Sequence, residues 1–321
     1  MKFLPRWWWL IVAGALTCGA AEKITFYPDW FAGPEFAGFF VAEAGGYYGA
    51  AGLDVQFVPF KFGAKSIEAI AASPGCALGT IEGYIFLQQR ARGDDVRALA
   101  AVLQESPAGF MSLDSAGITS ARDFAGKRIG VHKFADPLYR WFLRRVGVGS
   151  DAATMIFVGN DLRLLTRGDV AAMQGYAIEE LLRLRQQVGT HARFLSFREL
   201  GFDAYSEIIT TTAPQLERHR ATIQAFLTAT QRGWSDVFAH PDEALAALRG
   251  RIGPEFDETF QRAALEALRP FVCRGDEPPL APMSAEKWRR MQAACVEMGL
   301  LRAAEPTEAF LVPDLISPAQ R

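Results

Sequence analysis

The chain has 321 residues, 50% of them hydrophobic, and it carries 34 basic and 36 acidic side chains for a formal net charge of −2. A chain of this length can bury a sizeable core in one large or two medium domains. Because it has no basic excess to follow a phosphate backbone, we expect no nucleic-acid partner.

The N-terminal segment has the features of a secretory signal. Lys2 and Arg6 give it a positive start, an uncharged run follows, and Gly19–Ala21 supplies small residues for cleavage. The uncharged run is shorter than the roughly 20 residues that a membrane-spanning helix needs. We therefore predict that residues 1–21 are a signal peptide and that the mature protein is periplasmic. Two alternatives stay open: an uncleaved anchor, and a lipoprotein attached through Cys18.

Three cysteines, Cys76, Cys273 and Cys295, follow this segment. An oxidising compartment permits one disulfide, and Cys273 with Cys295 is the plausible pair. The chain has only four histidines and no cluster of cysteine and histidine. We therefore expect no structural metal and no other cofactor.

The first part of the mature chain alternates β-rich and helical runs. The pattern predicts strands at 23–27, 53–59, 76–80 and 96–104, and helices at 35–51, 64–72 and 82–92. A glycine at position 52 stands where a helix C-terminal cap belongs. Such alternation is typical of a parallel sheet covered by helices.

The alternation then starts again. It predicts strands at 127–131, 155–158, 169–173 and 193–196, and helices at 161–167, at 178–187 and after an Asp136 N-cap. A β-forming run at 208–212 is expected to return to the first sheet, before a mostly helical tail. Since no flexible linker separates the halves, the chain should cross between two lobes near 110–115 and 201–208. We assign lobe 1 to 22–112 and 206–321, and lobe 2 to 113–205.

Motifs spread along the mature chain resemble one known family. They are Asp29-Trp30, Gly52-Leu53-Asp54-Val55, the run 123–131, Gly168-Asp169-Val170 and Gln174-Gly175-Tyr176. The set is similar to the NMT1/THI5-like family, which includes periplasmic components of ABC transporters for pyrimidine precursors, sulfonates, nitrate and taurine. The family also includes a yeast pyrimidine synthase. The resemblance implies an α/β type II periplasmic-binding-protein fold, two lobes joined by two crossover segments around a ligand cleft, and an ABC permease as partner.

Two departures from that family bear on the ligand. Pyrimidine-binding members often carry a histidine shortly after Asp-Trp, where this chain has Glu35. The yeast synthase branch uses a cysteine-rich motif and a lysine that holds pyridoxal phosphate. Because this sequence has no cysteine cluster, we expect a binding protein and not an enzyme.

Ligands of open α/β sheets lie beyond the carboxyl ends of the strands. Trp30 offers a flat face for a planar ring, and Asp29 and Glu35 can accept hydrogen bonds from ring amino groups. Two other candidates also have an ordinary structural explanation. A threonine at a strand end, such as Thr80, can cap the next helix, and a glutamine near the hinge, such as Gln104, can bond to backbone. The other candidate ligand contacts are Thr80, Glu82, Gln104, Lys133, Tyr176, Glu179 and Tyr205.

The candidate cleft positions carry more acids than bases. An unpaired carboxylate buried beside an anionic ligand costs several kcal/mol. The excess therefore favours a planar, amine-bearing heterocycle such as a thiamine-precursor pyrimidine, bound by closure of the two lobes. A cleft with arginines would favour an alkanesulfonate or nitrate instead, and a ligand sensor or a pyrimidine-synthase-like enzyme are the remaining alternatives.

Overall fold

The computed structural model describes residues 20–149 and 151–316, apart from the side chains of Phe134 and Asp314. Nearly all of the predicted signal peptide, Cys18 included, lies outside these residues. Within them, no helix combines the length and the apolar character needed to cross a membrane.

The first sheet has five strands in the order β2-β1-β3-β10-β4. They are β1 (Glu22–Tyr27), β2 (Leu53–Phe57), β3 (Cys76–Ile81), β4 (Val96–Leu103) and β10 (Ser206–Thr212). Strands β1, β2 and β3 are parallel, whereas β10 runs antiparallel to β3 and β4. The connections contain a 3-10 turn (Pro34–Phe36), α1 (Ala37–Ala44), α2 (Tyr47–Ala50), α3 (Ser66–Ala72) and α4 (Gly83–Arg92).

The second sheet has five strands in the order β7-β6-β8-β5-β9. They are β5 (Ala108–Leu113), β6 (Arg128–Val131), β7 (Thr154–Phe157), β8 (Ala172–Tyr176) and β9 (Ala192–Ser196). Strands β6, β7 and β8 are parallel, and β5 is antiparallel to its neighbours β8 and β9. The helices between them are α5 (Asp136–Arg145), α6 (Arg163–Thr166) and α7 (Glu180–Val188).

Four α-helices follow β10 in the described part of the chain. They are α8 (Ala213–Ala239), α9 (Pro241–Ile252), α10 (Glu258–Val272) and α11 (Ala285–Glu297). Near the end of the described chain, Leu311 forms a parallel bridge with Ala98 of β4. The C-terminal region is therefore tied to the first sheet.

Helices α1 and α8 cross at a contact that requires two glycines. A Cβ atom at Gly233 would lie 2.1 Å from the Gly38 carbonyl oxygen, and one at Gly38 would lie 2.2 Å from the Trp234 ring. Beneath the crossing, the Phe26 ring of β1 packs 4.7 Å from Phe39 and 5.5 Å from Phe226, measured between centroids. This packing holds α1, and with it the loop from β1, against the first sheet.

Three local predictions differ from the structure. The helix expected at 35–51 is divided into a 3-10 turn, α1 and α2, because Gly46 adopts φ +70° and interrupts the helix. Asp136 is the first residue of α5 and not an N-cap, since its carboxylate accepts a 2.7 Å bond from Arg140. The first crossing also lies earlier than 110–115, because Ala108–Leu113 is already a strand of the second sheet.

The proposed disulfide is not formed. Cys76, Cys273 and Cys295 are all free thiols. Cys295 is fully buried among the side chains around α4 and α11, whereas Cys273 packs against the other hydrophobic cluster, under α8, α9 and α10. The two sulfur atoms therefore belong to different parts of the core.

Candidate functional site

A hydrogen bond connects the two sheets at the carboxyl ends of β3 and β8. The Tyr176 hydroxyl, at the end of β8, donates to the carboxylate of Glu82, which follows β3 directly. Ser206, at the start of β10, donates to the same Glu82 oxygen over 2.8 Å. Glu82 therefore sits where the lobes meet, and burial raises its pKa to about 7 against these two hydrogen bonds.

Asp29 lies beside this junction, in the loop after β1. Its carboxylate accepts a 2.5 Å bond from the Thr80 hydroxyl, and the Thr80 oxygen in turn accepts the Asp29 backbone N–H at 3.1 Å. Thr80 is buried near the end of β3. This reciprocal pair fixes the direction of the loop that carries Trp30.

Glu35 adds a second acidic group from the same loop. Its carboxyl lies over Gly33, where an added Cβ atom would come within 2.5 Å of it. Burial raises the pKa of Glu35 to about 8, and repulsion from Glu179, Asp29 and Glu180 adds to the effect. Because Glu179 and Glu180 belong to the second lobe, carboxylates from both lobes act on Glu35.

The second lobe contributes its acids at the start of α7. Glu180 accepts the Tyr176 backbone N–H at 2.8 Å, and Glu179 pairs with Arg183 at 3.4 Å. The Arg183 guanidinium also lies 4.0 Å from the Phe260 ring centroid. Burial and the neighbouring Glu180 still raise the pKa of Glu179, so the arginine does not neutralise this region.

Glu207 is a further acid that sequence reasoning missed. It is buried in β10 with φ +50°, a left-handed conformation that is unfavourable for a residue other than glycine. Among the described residues its Oε2 atom has no hydrogen-bond partner. Burial, then Asp29, then Glu82 and Glu35 hold the pKa of Glu207 well above its usual range. A charged residue inside the otherwise β-forming run SEIITTT was the available signal.

An exposed group of aromatic rings adjoins these acids. Trp30, Phe31 and Phe62 are 40%, 47% and 75% exposed. With Phe60 they form a cluster in which every pair of ring centroids lies between 5.1 and 5.7 Å apart. The rings come from the loops after β1 and β2, so the rule that pointed to Trp30 also applied to Phe60 and Phe62.

Three residues that were predicted to contact the ligand, Gln104, Tyr205 and Lys133, lie outside this group of acids and aromatic rings. The buried Gln104 amide donates to the Ala101 and Ala281 carbonyls, so it bonds to backbone of the first lobe. Tyr205 is buried, and its hydroxyl accepts the Ser284 backbone N–H at 2.7 Å. Lys133 is exposed in a 3-10 turn after β6. The structure brings together Asp29, Trp30, Glu35, Thr80, Glu82, Tyr176 and Glu179.

The space beside the Glu82–Tyr176 contact is narrow. A cavity of about 20 Å³ is lined by Glu82, Tyr84, Gln174 and Tyr176, among others. That volume holds about one water molecule, so an organic ring requires the lobes to separate. Among the described residues, no group of three or more histidine, cysteine, aspartate or glutamate side chains is placed to hold a metal ion.

Comparison with known proteins identifies the family and the fold. Residues 33–244 match the family described as NMT1/THI5 like. The periplasmic aliphatic sulphonate binding protein SsuA from Escherichia coli superposes with a TM-score of 0.68 at 16% identity, over 90% of this chain and 96% of that one. The two five-stranded sheets thus form the two-lobed periplasmic-binding-protein fold that the sequence predicted.

Two curated relatives differ in their described activity. The riboflavin-binding protein RibY of Chloroflexus aurantiacus is 27% identical over 78% of this chain and 73% of that protein. The 4-amino-5-hydroxymethyl-2-methylpyrimidine phosphate synthase of Aspergillus parasiticus is 25% identical over 70% of this chain and 69% of that protein. The family and the fold together support a ligand-binding protein.

Proposed function

Because this chain belongs to the NMT1/THI5-like family, we propose that it is the solute-binding component of an ABC importer for a planar, amine-bearing heterocycle. The observation that carries the proposal is the group of carboxyls contributed by both lobes beside an exposed aromatic cluster. Carboxyls accept hydrogen bonds from amino groups, and aromatic rings stack on a planar ligand. A thiamine-precursor pyrimidine fits both, and the relative named as riboflavin-binding makes a flavin the next compound to test.

Binding proceeds by opening and closing of the lobes. The cavity of about 20 Å³ at the junction admits no ring, so the ligand enters when the Tyr176–Glu82 bond is broken. A ligand that contacts both lobes then favours the closed state, and a membrane permease binds that state. The protein then acts outside the cytoplasm, after export directed by the signal peptide at residues 1–21.

An anionic ligand is a weaker candidate. A sulfonate placed among Asp29, Glu35 and Glu82 would find no cationic side chain among these three acids, and a buried anion without a cationic partner is unfavourable. The one arginine described next to the acids, Arg183, is engaged by Glu179 and Phe260. The fold shared with a sulphonate-binding protein is therefore no argument for the same ligand at 16% identity.

A synthase is the alternative of another class, because a relative at 25% identity is named as one. Binding and synthesis differ in what happens to the ligand. We expect mass spectrometry to recover a bound pyrimidine unchanged after prolonged incubation, with or without pyridoxal phosphate. Appearance of a phosphorylated pyrimidine in an incubation that contains pyridoxal phosphate but no added pyrimidine would identify the chain as a synthase.

Calorimetric titration tests the proposed ligand class. We expect the mature protein to bind 4-amino-5-hydroxymethyl-2-methylpyrimidine in preference to ethanesulfonate and nitrate, and riboflavin, a planar ring without an amino group, is titrated beside it. Trp30→Ala should weaken that binding by about 5-fold to 150-fold, since stacking on a planar base is worth about 1–3 kcal/mol. The matched control is Phe238→Ala, a partly buried ring of α8. Tight binding of the anions alone would overturn the proposal.

A further inference from the structure

Glu207 is a costly residue for the ligand-free protein. Its side chain is buried, its backbone has φ +50°, and its Oε2 atom has no hydrogen-bond partner among the described residues. A buried polar atom without a partner is unfavourable, and strained backbone is retained where the surroundings enforce it. Its neighbours in the site are the acids Asp29, Glu35 and Glu82, together with Tyr176, whose hydroxyl already donates to Glu82. Each of these acids can donate only while it is protonated, and no hydrogen bond from a described residue reaches Glu207 Oε2.

Two of the other acceptor oxygens in the site are already used. One Asp29 oxygen accepts the Thr80 hydroxyl, and one Glu82 oxygen accepts both Tyr176 and Ser206. The Asp29 carboxyl lies close enough to Glu207 to act on it by charge and by hydrogen bonding, so the two carboxyls share a proton more readily than they ionise together. With one proton shared between the two carboxyls, Glu207 Oε2 receives no further N–H or O–H from the described residues.

We infer that the Glu207–Asp29 carboxyl pair is the subsite for an N–H donor of the ligand and that it selects ring systems with an exocyclic amino group over the same rings without one. The inference rests on the proposed function, because it assumes that a heterocycle enters this cleft. An amino group gives Oε2 the donor that the protein does not supply. A ring with only C–H at that position would leave Oε2 unpaired and would bind less tightly.

A comparison of matched ligands in matched variants tests the pair. The ligands are 4-amino-5-hydroxymethyl-2-methylpyrimidine and its analogue without the amino group, with adenine and purine as a second pair. A hydrogen bond to a charged group contributes about 1.5–3 kcal/mol, so the wild type should prefer the amino member by about 10-fold to 100-fold. Glu207→Leu removes the acceptor and should reduce the preference to within about twofold, whereas Glu207→Gln keeps an acceptor oxygen and should retain most of it.

The possible outcomes separate the role of Glu207 from the proposed function. Binding of these ligands without an amino preference, or a preference that survives Glu207→Leu, overturns the role of Glu207 and leaves the proposed function standing. Binding of none of the four compounds to the wild type contradicts both. If Glu207→Leu does not fold, infrared difference spectra of the wild type replace it. The amino compound should then change a carboxyl band that is missing in Glu207→Gln, and an unchanged band refutes the inference.

Discussion

The raised pKa of Glu35 predicts that the ligand-free protein becomes less stable as the pH rises. The pKa is about 8 in the folded protein against an ordinary value of 4.5. The folded state therefore binds the proton more tightly than the unfolded chain. The stabilisation is complete below about pH 4.5 and is lost as the pH rises through about 8.

The size of the effect follows from the two values. One pKa unit corresponds to about 1.4 kcal/mol, so Glu35 alone lowers the free energy of unfolding by on the order of 3 kcal/mol between pH 5 and pH 8. Glu35→Gln removes the titrating group and should flatten the pH profile by that amount. Part of the slope should remain, because Glu82 has a pKa of about 7.

Urea denaturation at pH 5, 6.5 and 8 provides the assay, with tryptophan fluorescence as the readout. Glu217→Gln is the matched control, since Glu217 is an exposed carboxylate of α8. The control should reproduce the wild-type profile. Identical pH profiles for the wild type and Glu35→Gln would refute the claim that Glu35 is protonated in the closed cleft at neutral pH.

Three further predictions concern the hinge, the helix crossing and the lobe contact. Lys287→Met should lower the free energy of unfolding by about 3–5 kcal/mol, because the buried Lys287 amine donates to the Gln104 carbonyl at 2.6 Å and to the Asp203 carboxylate at 2.5 Å. The control, Arg289→Met at an exposed position, should change the free energy of unfolding by less than about 0.5 kcal/mol. Gly233→Ala should destabilise by about 1–3 kcal/mol in the same measurement, whereas Gly49→Ala, with no atoms near its added Cβ, should be neutral or slightly stabilising. Equal melting curves for the two glycine variants would contradict the close crossing of α1 and α8. Tyr176→Phe removes the bond to Glu82, so small-angle scattering of the ligand-free protein should show a larger radius of gyration than in Tyr84→Phe, and an unchanged radius would contradict its role in closure.

The sequence predicted the succession of strands and helices because each element carries its own periodicity. The strands from β1 to β4 and from β6 to β9 lie close to their predicted ranges. Strand β5 was missed, and part of it was assigned to a crossing, since its place in the second sheet depends on antiparallel pairing with β8 and β9. Those partners lie about 60 and 80 residues later, and no local pattern records such distant pairing.

The candidate site was predictable only where a residue follows a strand. Trp30, Glu82 and Tyr176 were found by that rule. Glu207 was not, because it lies inside a strand and reaches the acids through an unusual φ. Tyr205 illustrates the reverse case. It lies near a crossing, yet its ring packs 5.6 Å from Trp288, measured between centroids, and only the tertiary packing of α11 determines that position.

The central claim is that the two lobes close on an amine-bearing heterocycle, and an inter-lobe distance measures this directly. Spin labels at Glu68→Cys and Arg167→Cys occupy exposed positions on the two lobes, and Cys273→Ser removes the native thiol that is only half-buried. Without ligand, pulsed electron paramagnetic resonance should show a broad distribution of the distance between the two labels. With saturating 4-amino-5-hydroxymethyl-2-methylpyrimidine the mean distance should decrease and the distribution should become narrow, whereas ethanesulfonate should leave it broad. A distribution that the pyrimidine leaves unchanged, or that ethanesulfonate alone narrows, would contradict the account.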